Sequence, residues 1–379
     1  MEPSPLLFDL TGRGAVILTG KDRASFLHGL VTNDVKKLTP GTGCAAAFLT
    51  PKGKLLADCV VLCEEDRLEI DCEPELAEKI EDLLRKYLVF NEVEIGNDTE
   101  QTAVFHLRHS AAGEAVEEFL KKAISSASAA AVVGLQHSAA GDAVEELLRK
   151  EMGRDDSGAG VAWPRAAHSH AMANVRLPAS FPFEEKPATP DASRPAGDEV
   201  GIPIRLVREN RTGVPGYDVR CSSSLSEEIR KAFLLAGARQ ASGADLESLR
   251  IEAGIPRWGF ELTEAVLPDE AALRERGFVS DSKGCYIGQE TVARIKTYGH
   301  VNRNLVRLHL EGEAPAAGSE IFFEGEKAGS VTSAARTTDA PQATALGFVR
   351  RERAVPGTLL LVRTREGDRT ATVSAPPVA

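Results

Sequence analysis

Residues 44–72, CAAAFLTPKGKLLADCVVLCEEDRLEIDC, constrain the fold of this chain more than any other stretch. They read as strand, Pro-Lys-Gly turn, strand, a second turn at Glu65–Asp66, and strand. Helical patterns alternate with this β segment. GAVILTG is a short apolar strand, and DRASFLHGLVTNDV predicts a helix capped by Asp22 with Phe26, Leu27 and Leu30 on one face. ELAEKIEDLLRKYLV places Leu76, Ile80, Leu83, Leu84 and Tyr87 at helical spacing, and NEVEI reads as another strand. The first hundred residues thus alternate β-like and helical patterns.

A chain of 379 residues exceeds one ordinary core and predicts two or three domains. IPIRLVREN and GYDVRC are short β patterns around RTGVPG, and SLSEEIRKAFLLAGA predicts a helix capped by Ser224 or Ser226. From about residue 305 the pattern becomes short strands with Gly turns, the signature of a small all-β domain. Between these regions LRHSAAGEAVEEFLKK (107–122) recurs as LQHSAAGDAVEELLRK (135–150). Two copies do not make a solenoid. Each reads as a loop and then a helix with i,i+4 pairs Glu117/Lys121 and Glu145/Arg149, and His109 and His137 recur only because the repeat does. Residues 153–203 are rich in Pro, Ala, Gly and Ser and read as a loop excursion, with His168 and His170 solvated within it.

The formal net charge of −11 opposes general binding to nucleic acid or anionic membrane, which rests on Lys/Arg clusters. No apolar run approaches the roughly 20 residues of a membrane span. The opening MEPSPLLFDL has neither a secretory nor an organelle-targeting pattern. Six cysteines (Cys44, Cys59, Cys63, Cys72, Cys221, Cys285) form no C-x-x-C pair and no disulfide framework, so a reducing cytoplasm is the expected compartment. Cys59, Cys63 and Cys72 read as small strand residues, since zinc wants a fourth ligand and tighter spacing.

KGCYIGQE, residues 283–290, is the segment that does not read as core. A thiol acts chemically as thiolate, which nearby cations and partial exposure promote. Lys283 and Arg294 are the cations close in sequence, Gly284 and Gly288 let the backbone bend and a ligand approach, and Gln289 and Glu290 open a helix. No histidine is adjacent to complete a Cys-His nucleophile; His300 lies ten residues past Glu290.

KGCYIGQE resembles the signature of the YgfZ family of folate-binding, iron–sulfur-linked proteins, relatives of the glycine-cleavage aminomethyltransferase (T-protein). DRASFLHGLVTNDV, AAFLTPKGKLLADCVVL, LRIEAGIPRWGFELTEAVLPDEA and VARIKTYGHVNRNLV resemble further family blocks in the expected order, across roughly 10–95 and 205–350. The resemblance implies ferredoxin-like α+β lobes around a central folate-type channel, built from 1–106 and 201–304, followed by a C-terminal β-barrel at 305–379. Residues 107–200 match little and read as an insertion. The implied ligand is tetrahydrofolate. Where T-proteins carry a paired Asp block, GKLLADC keeps Asp58 and has Ala57 beside it; where they carry a TGEDGFE-like stretch, TGVPGYD has Val214 and Pro215. Arg250 stands at a position that contacts folate in T-proteins, with Glu252 placed to orient it.

The candidate site is therefore Cys285 as the chemical residue, with Asp58, Arg250, Glu252, Lys283, Gln289, Glu290 and Arg294 around a folate and no metal ligand. Three readings follow. The first is an accessory protein for iron–sulfur clusters, with client proteins or assembly factors as partners and an indirect effect on tRNA modification. The second is a tetrahydrofolate-dependent one-carbon transferase, weakened by the lost carboxylates. The third is a non-catalytic module binding RNA or protein, for which Arg303, Arg307, Arg350, Arg351 and Arg353 would have to cluster.

Overall fold

The computed structural model describes residues 4–108, 170–177, 200–336 and 342–374. The two repeat copies beyond Arg108, with His109 and His137, and the Pro/Ala-rich tract with His168 lie outside the described residues.

The β-rich segment forms as its turns dictate. Strands β2 (Gly14–Thr19), β3 (Gly43–Leu49), β4 (Leu55–Cys63), β5 (Arg67–Cys72) and β6 (Glu94–Asn97) make an antiparallel sheet in the order β3-β4-β5-β2-β6. Period-two alternation divides its faces. Ala57, Cys59 and Val61 of β4 and Leu68, Ile70 and Cys72 of β5 enter one apolar core with Phe26 and Leu27 of α1 (Arg23–His28) and Ile80 and Leu84 of α2 (Ala77–Tyr87). Each such aliphatic burial contributes about 1.5–3 kcal/mol. The opposite face carries Asp58, Glu69 and Asp71. Asp22 does not cap α1; its carboxylate instead accepts from the Glu92 amide at 2.8 Å, tying the helix start to the chain entering β6.

A second, six-stranded sheet has the order β11-β1-β7-β10-β9-β8. It combines β1 (Leu6–Asp9), β7 (Thr102–Arg108), β8 (His170–Leu177), β9 (Val200–Glu209), β10 (Gly216–Ser222) and β11 (Arg239–Ala241). Only the β1–β11 pair is parallel. Ile229 and Phe233 of α3 (Ser226–Leu235) pack on Phe105, Leu107 and Val219 of this sheet. Neither expected serine caps α3: Leu225 precedes it after a 3-10 turn, and Ser224 bonds Ser222 instead. Within the segment read as an insertion, Leu107–Arg108 complete β7 and His170–Leu177 form β8, paired with β9 along its whole length. Ladder hydrogen bonds there outweigh a loop-like composition, so His170 opens a strand.

The C-terminal region is a closed barrel of six strands, β12 (Arg303–Glu311), β13 (Glu320–Phe323), β14 (Glu326–Ala335), β15 (Gln342–Arg350), β16 (Leu359–Thr364) and β17 (Gly367–Ser374), in the order β12-β15-β14-β13-β16-β17. Closure leaves no edge strand, and Leu308, Leu310, Ile321, Val331, Val362 and Val373 fill its interior. The α+β class with a terminal barrel holds. Among the described residues no helix is long and apolar enough to cross a membrane.

Candidate functional site

The face of the first sheet that carries Asp58, Glu69 and Asp71 meets the second sheet through a layer of ion pairs. Asp71 accepts from Arg13 Nη2 at 2.8 Å, from Arg220 Nη1 at 2.8 Å and from Arg211 Nη2 at 3.2 Å. Arg13 also reaches Glu73 at 2.6 Å. Arg211 turns to Asp218 at 2.5 Å, and the other Asp218 oxygen lies 2.8 Å from His106 Nδ1. Arg205 of β9 joins Glu64 and Glu69. Burial alone would raise the Asp71 carboxyl, but Arg13, Arg220 and Arg211 overcome that and hold it well below the usual carboxylate range.

Asp58 sits on the same face without such partners. Its Oδ1 is sealed from solvent and makes no hydrogen bond. Burial, reinforced by the charge of Glu73 and opposed by Arg13, pushes its carboxyl up to about 7. Ala57 points the other way, 1% exposed in the apolar core. A carboxylate at 57 would face leucines and valines, so its replacement removes nothing from the charged layer. Strand alternation leaves Asp58 as the carboxylate of this block on the inter-sheet face.

Arg250 is not free for a ligand. It lies near the end of α4 (Gly243–Ala253), a helix started by a Ser242–Asp245 capping box and stopped by Gly254 at φ +72°. Its guanidinium donates to Glu247 (2.8 Å), the Ile255 carbonyl (3.0 Å), Glu261 (2.9 Å) and Ser333 Oγ of β14 (3.0 Å). Glu261, fully buried, also accepts from Thr332 and Ser333. Arg250 is thus a clasp between α4 and the barrel, and none of these bonds goes to Glu252, whose backbone carbonyl accepts from Arg307 at 2.7 Å.

The KGCYIGQE segment forms a third neighbourhood. Lys283 is buried, and its ammonium donates to the carbonyls of His28 and Val31, at the C-terminal end of α1. It therefore satisfies the last carbonyl of α1 and a carbonyl three residues beyond it, and burial lowers it to about 8. Arg294 pairs with Glu290 at 2.6 Å on the exposed face of α5 (Gln289–Tyr298). Both cations expected to support the thiol are thus engaged elsewhere. The Gln289 amide donates to the Tyr286 carbonyl at 3.2 Å. Gly288, at φ +84°, seats the segment on the β3–β4 turn: a β-carbon there would lie 2.5 Å from the Thr50 carbonyl oxygen. Cys285 is exposed, whereas Cys59, Cys63, Cys72 and Cys221 are buried and Cys44 is half-buried.

The structure brings Asp58 to the charged layer, Arg250 to the barrel clasp, and Lys283 with Cys285 to the α1 terminus. Of the five arginines named for a basic face, three are engaged within the chain: Arg303 with Glu270 and Phe348, Arg307 with Ser374 and Glu252, and Arg353 over Phe323 at 3.8 Å; Arg350 and Arg351 are exposed, with Glu326 and Glu352 at 3.9 and 4.0 Å. The charged layer escapes a reading of the sequence alone, although a signal exists. Glu69, Asp71 and Glu73 alternate with Leu68, Ile70 and Cys72, and Asp218 and Arg220 flank Val219 on one strand. Charge at every second position of an apolar strand ordinarily marks a solvated face, so the pattern locates these groups on one face without revealing the second sheet that covers it.

Comparison with known proteins agrees with this architecture. Residues 4–143 match the GCVT N-terminal domain, and residues 303–379 match the glycine cleavage T-protein C-terminal barrel domain. The chain is aminomethyltransferase-like. It is 25% identical to the putative chloroplastic transferase At1g60990 of Arabidopsis thaliana over 94% of this chain and 68% of that one. It is 26% identical to an aminomethyltransferase of Bacillus subtilis over 95% of this chain and 83% of that one. The glycine cleavage system aminomethyltransferase T from Bartonella henselae superposes with a TM-score of 0.72 at 17% identity, covering 100% of this chain and 87% of its own. In this aminomethyltransferase-like fold, Asp58 and the ion-pair layer belong to the region matching the N-terminal domain or to the strands facing it.

Proposed function

We propose that this chain binds a tetrahydrofolate against the inter-sheet face and acts as a folate-dependent one-carbon transferase of aminomethyltransferase type. The observation that carries this reading is Asp58: a buried carboxyl oxygen without a partner, titrating near neutrality, on the face that meets the charged layer. An orphaned buried oxygen costs about 1–3 kcal/mol, and an amine nitrogen of a bound folate would remove that cost. Tetrahydrofolate supplies the nitrogens that accept a one-carbon unit. A carboxyl near 7 both takes and returns a proton at physiological pH, the property a general acid–base group requires. Arg13 and Arg211, locked on Asp71 and Asp218, hold the surrounding layer rigid. Val214 and Pro215 supply no carboxylate, so pterin affinity falls below that of a protein carrying one, by roughly tenfold to a hundredfold.

Equilibrium titration of the purified protein with tetrahydrofolate, together with an aminomethyl-transfer assay, tests this. Asp58→Asn is expected to lower transfer by about 10²-fold or more while changing folate affinity far less. No folate binding by the native protein would overturn the proposal.

A second reading, as an accessory protein for iron–sulfur clusters acting on client proteins in the cytoplasm, rests on Cys285 as the exposed cysteine of a YgfZ-like octapeptide. The two readings part in cells: restoration of iron–sulfur enzyme activity by Asp58→Asn but not by Cys285→Ser favours the second.

A further inference from the structure

The Cys285 segment carries a neighbour that its sequence hides. His28, the last residue of α1, comes from 257 positions upstream, yet its ring lies against the segment: a β-carbon on Gly284 would be 3.7 Å from His28 Nε2. On its other side His28 Nδ1 lies 3.3 Å from Asp34 Oδ1, an electrostatic contact short of an aligned hydrogen bond. That carboxylate favours the tautomer with the proton on Nδ1 and leaves a lone pair on Nε2. Among the described residues Nε2 makes no hydrogen bond of its own. The next residue along, Cys285, is exposed. Asp34 is fixed in turn by Lys37 at 3.0 Å.

We propose that His28 is the proton acceptor for the Cys285 thiol, oriented by Asp34, and that this group carries out thiol–disulfide exchange at the surface. The proposal concerns the Cys285 site alone and is independent of folate chemistry at Asp58. As Cys285 Sγ attacks one sulfur of a disulfide, its proton passes to His28 Nε2. A new S–S bond forms to Cys285, the original S–S bond breaks, and the departing sulfur leaves as thiolate and takes the proton back from the imidazolium. No outside oxidant or reductant is consumed. An S–S electrophile suits the setting because exchange proceeds through no charged tetrahedral centre and so needs no oxyanion pocket, only access and a base.

The electrostatics around His28 support a base. Burial lowers its affinity for protons, Lys283 lowers it further, Asp34 raises it, and Lys36 and Lys37 lower it. The balance leaves the ring neutral at pH 7 and able to accept. Lys283 contributes only through its field, because its ammonium is held by the His28 and Val31 carbonyls.

The experiment follows release of thiopyridone from dithiodipyridine by the native full chain across about pH 5 to 9, with Cys285→Ser identifying the Cys285 phase. His28→Ala is expected to slow that phase at least about tenfold near neutrality and to erase the inflection due to the imidazole. Asp34→Asn should give a smaller loss, and imidazole in the buffer should restore part of the His28→Ala rate. His28→Gln, which keeps the bulk of the ring, decides the matter if the alanine variant fails to fold. An unchanged rate and pH profile in the folded His28 variant, or a fast phase that survives Cys285→Ser, overturns the proposal.

Discussion

Lys283 Nζ donates to the carbonyl oxygen of Val31 at 2.5 Å across 252 residues of sequence. The same ammonium takes the His28 carbonyl, so one side chain docks the KGCYIGQE segment on the end of α1. Lys283→Ala leaves two buried carbonyls at the helix end without a donor. The expected cost is about 1.5–3 kcal/mol, the range for a hydrogen bond from a charged group, read as a lowered urea midpoint. Lys283→Arg should not restore it, because a planar fork does not reproduce a compact ammonium between two carbonyls.

Asp71 gathers Arg13, Arg211 and Arg220 between the two sheets. Removing its charge leaves three buried guanidinium groups facing an uncharged partner. Asp71→Asn should cost about 3–5 kcal/mol, as breaking a buried pair does. The native carboxyl is held below its unfolded value, so its contribution is fully present above the unfolded pKa of about 4 and is lost as pH falls through the lower folded value. Acid unfolding monitored by circular dichroism should accordingly be less steep in Asp71→Asn than in the native protein.

These two residues also show how far the sequence can be read. The strand–turn–strand segment, the amphipathic α2 and the terminal barrel are legible because periodicity and Gly/Pro turns act locally. The neighbours of Lys283 in sequence suggest that it supports Cys285. Its partners are the carbonyls of His28 and Val31, and no local pattern encodes a contact over 252 residues. Resemblance makes Arg250 a folate contact, whereas it joins Glu261 and Ser333. Asp58 falls on a strand as its pattern predicts, but its meaning lies in which face it occupies relative to Ala57. His28 is invisible as a neighbour of the Cys285 segment along the chain, because it meets Gly284 only across the fold.

The Arg250 clasp predicts coupling between α4 and the barrel. Arg250→Ala strands Glu261, which is fully buried and would retain only hydroxyl and amide donors. Destabilisation of about 3–5 kcal/mol is expected. Proteolysis near Arg303 should accelerate as the barrel loosens. Folate affinity should change little, since the guanidinium is committed within the chain. A large loss of folate affinity in a variant whose stability is intact would show that the guanidinium does reach the ligand.

Asp58 carries the pH prediction that bears most directly on function. Its carboxyl is raised to about 7 in the folded chain, against about 3.9 when unfolded. Below about pH 4 both states are protonated and the group is neutral in its effect. Between about 4 and 7 the folded state keeps a proton that the unfolded state has lost, so stability falls as pH rises; above about 7 both are ionised and the slope vanishes. The penalty at pH 8 relative to pH 4 is on the order of 2 kcal/mol, less than the full shift implies because Asp58 is only half-buried. Asp58→Asn cannot ionise, so it should lose this slope and match or exceed native stability at pH 8. Urea unfolding of both proteins at several values between pH 4 and 8 measures it. If the curves of the native protein and of Asp58→Asn run parallel, Asp58 ionises like an exposed carboxyl and cannot serve as the proton carrier. If saturating tetrahydrofolate also flattens the native slope, the folate nitrogens occupy the place of the missing partner at Oδ1.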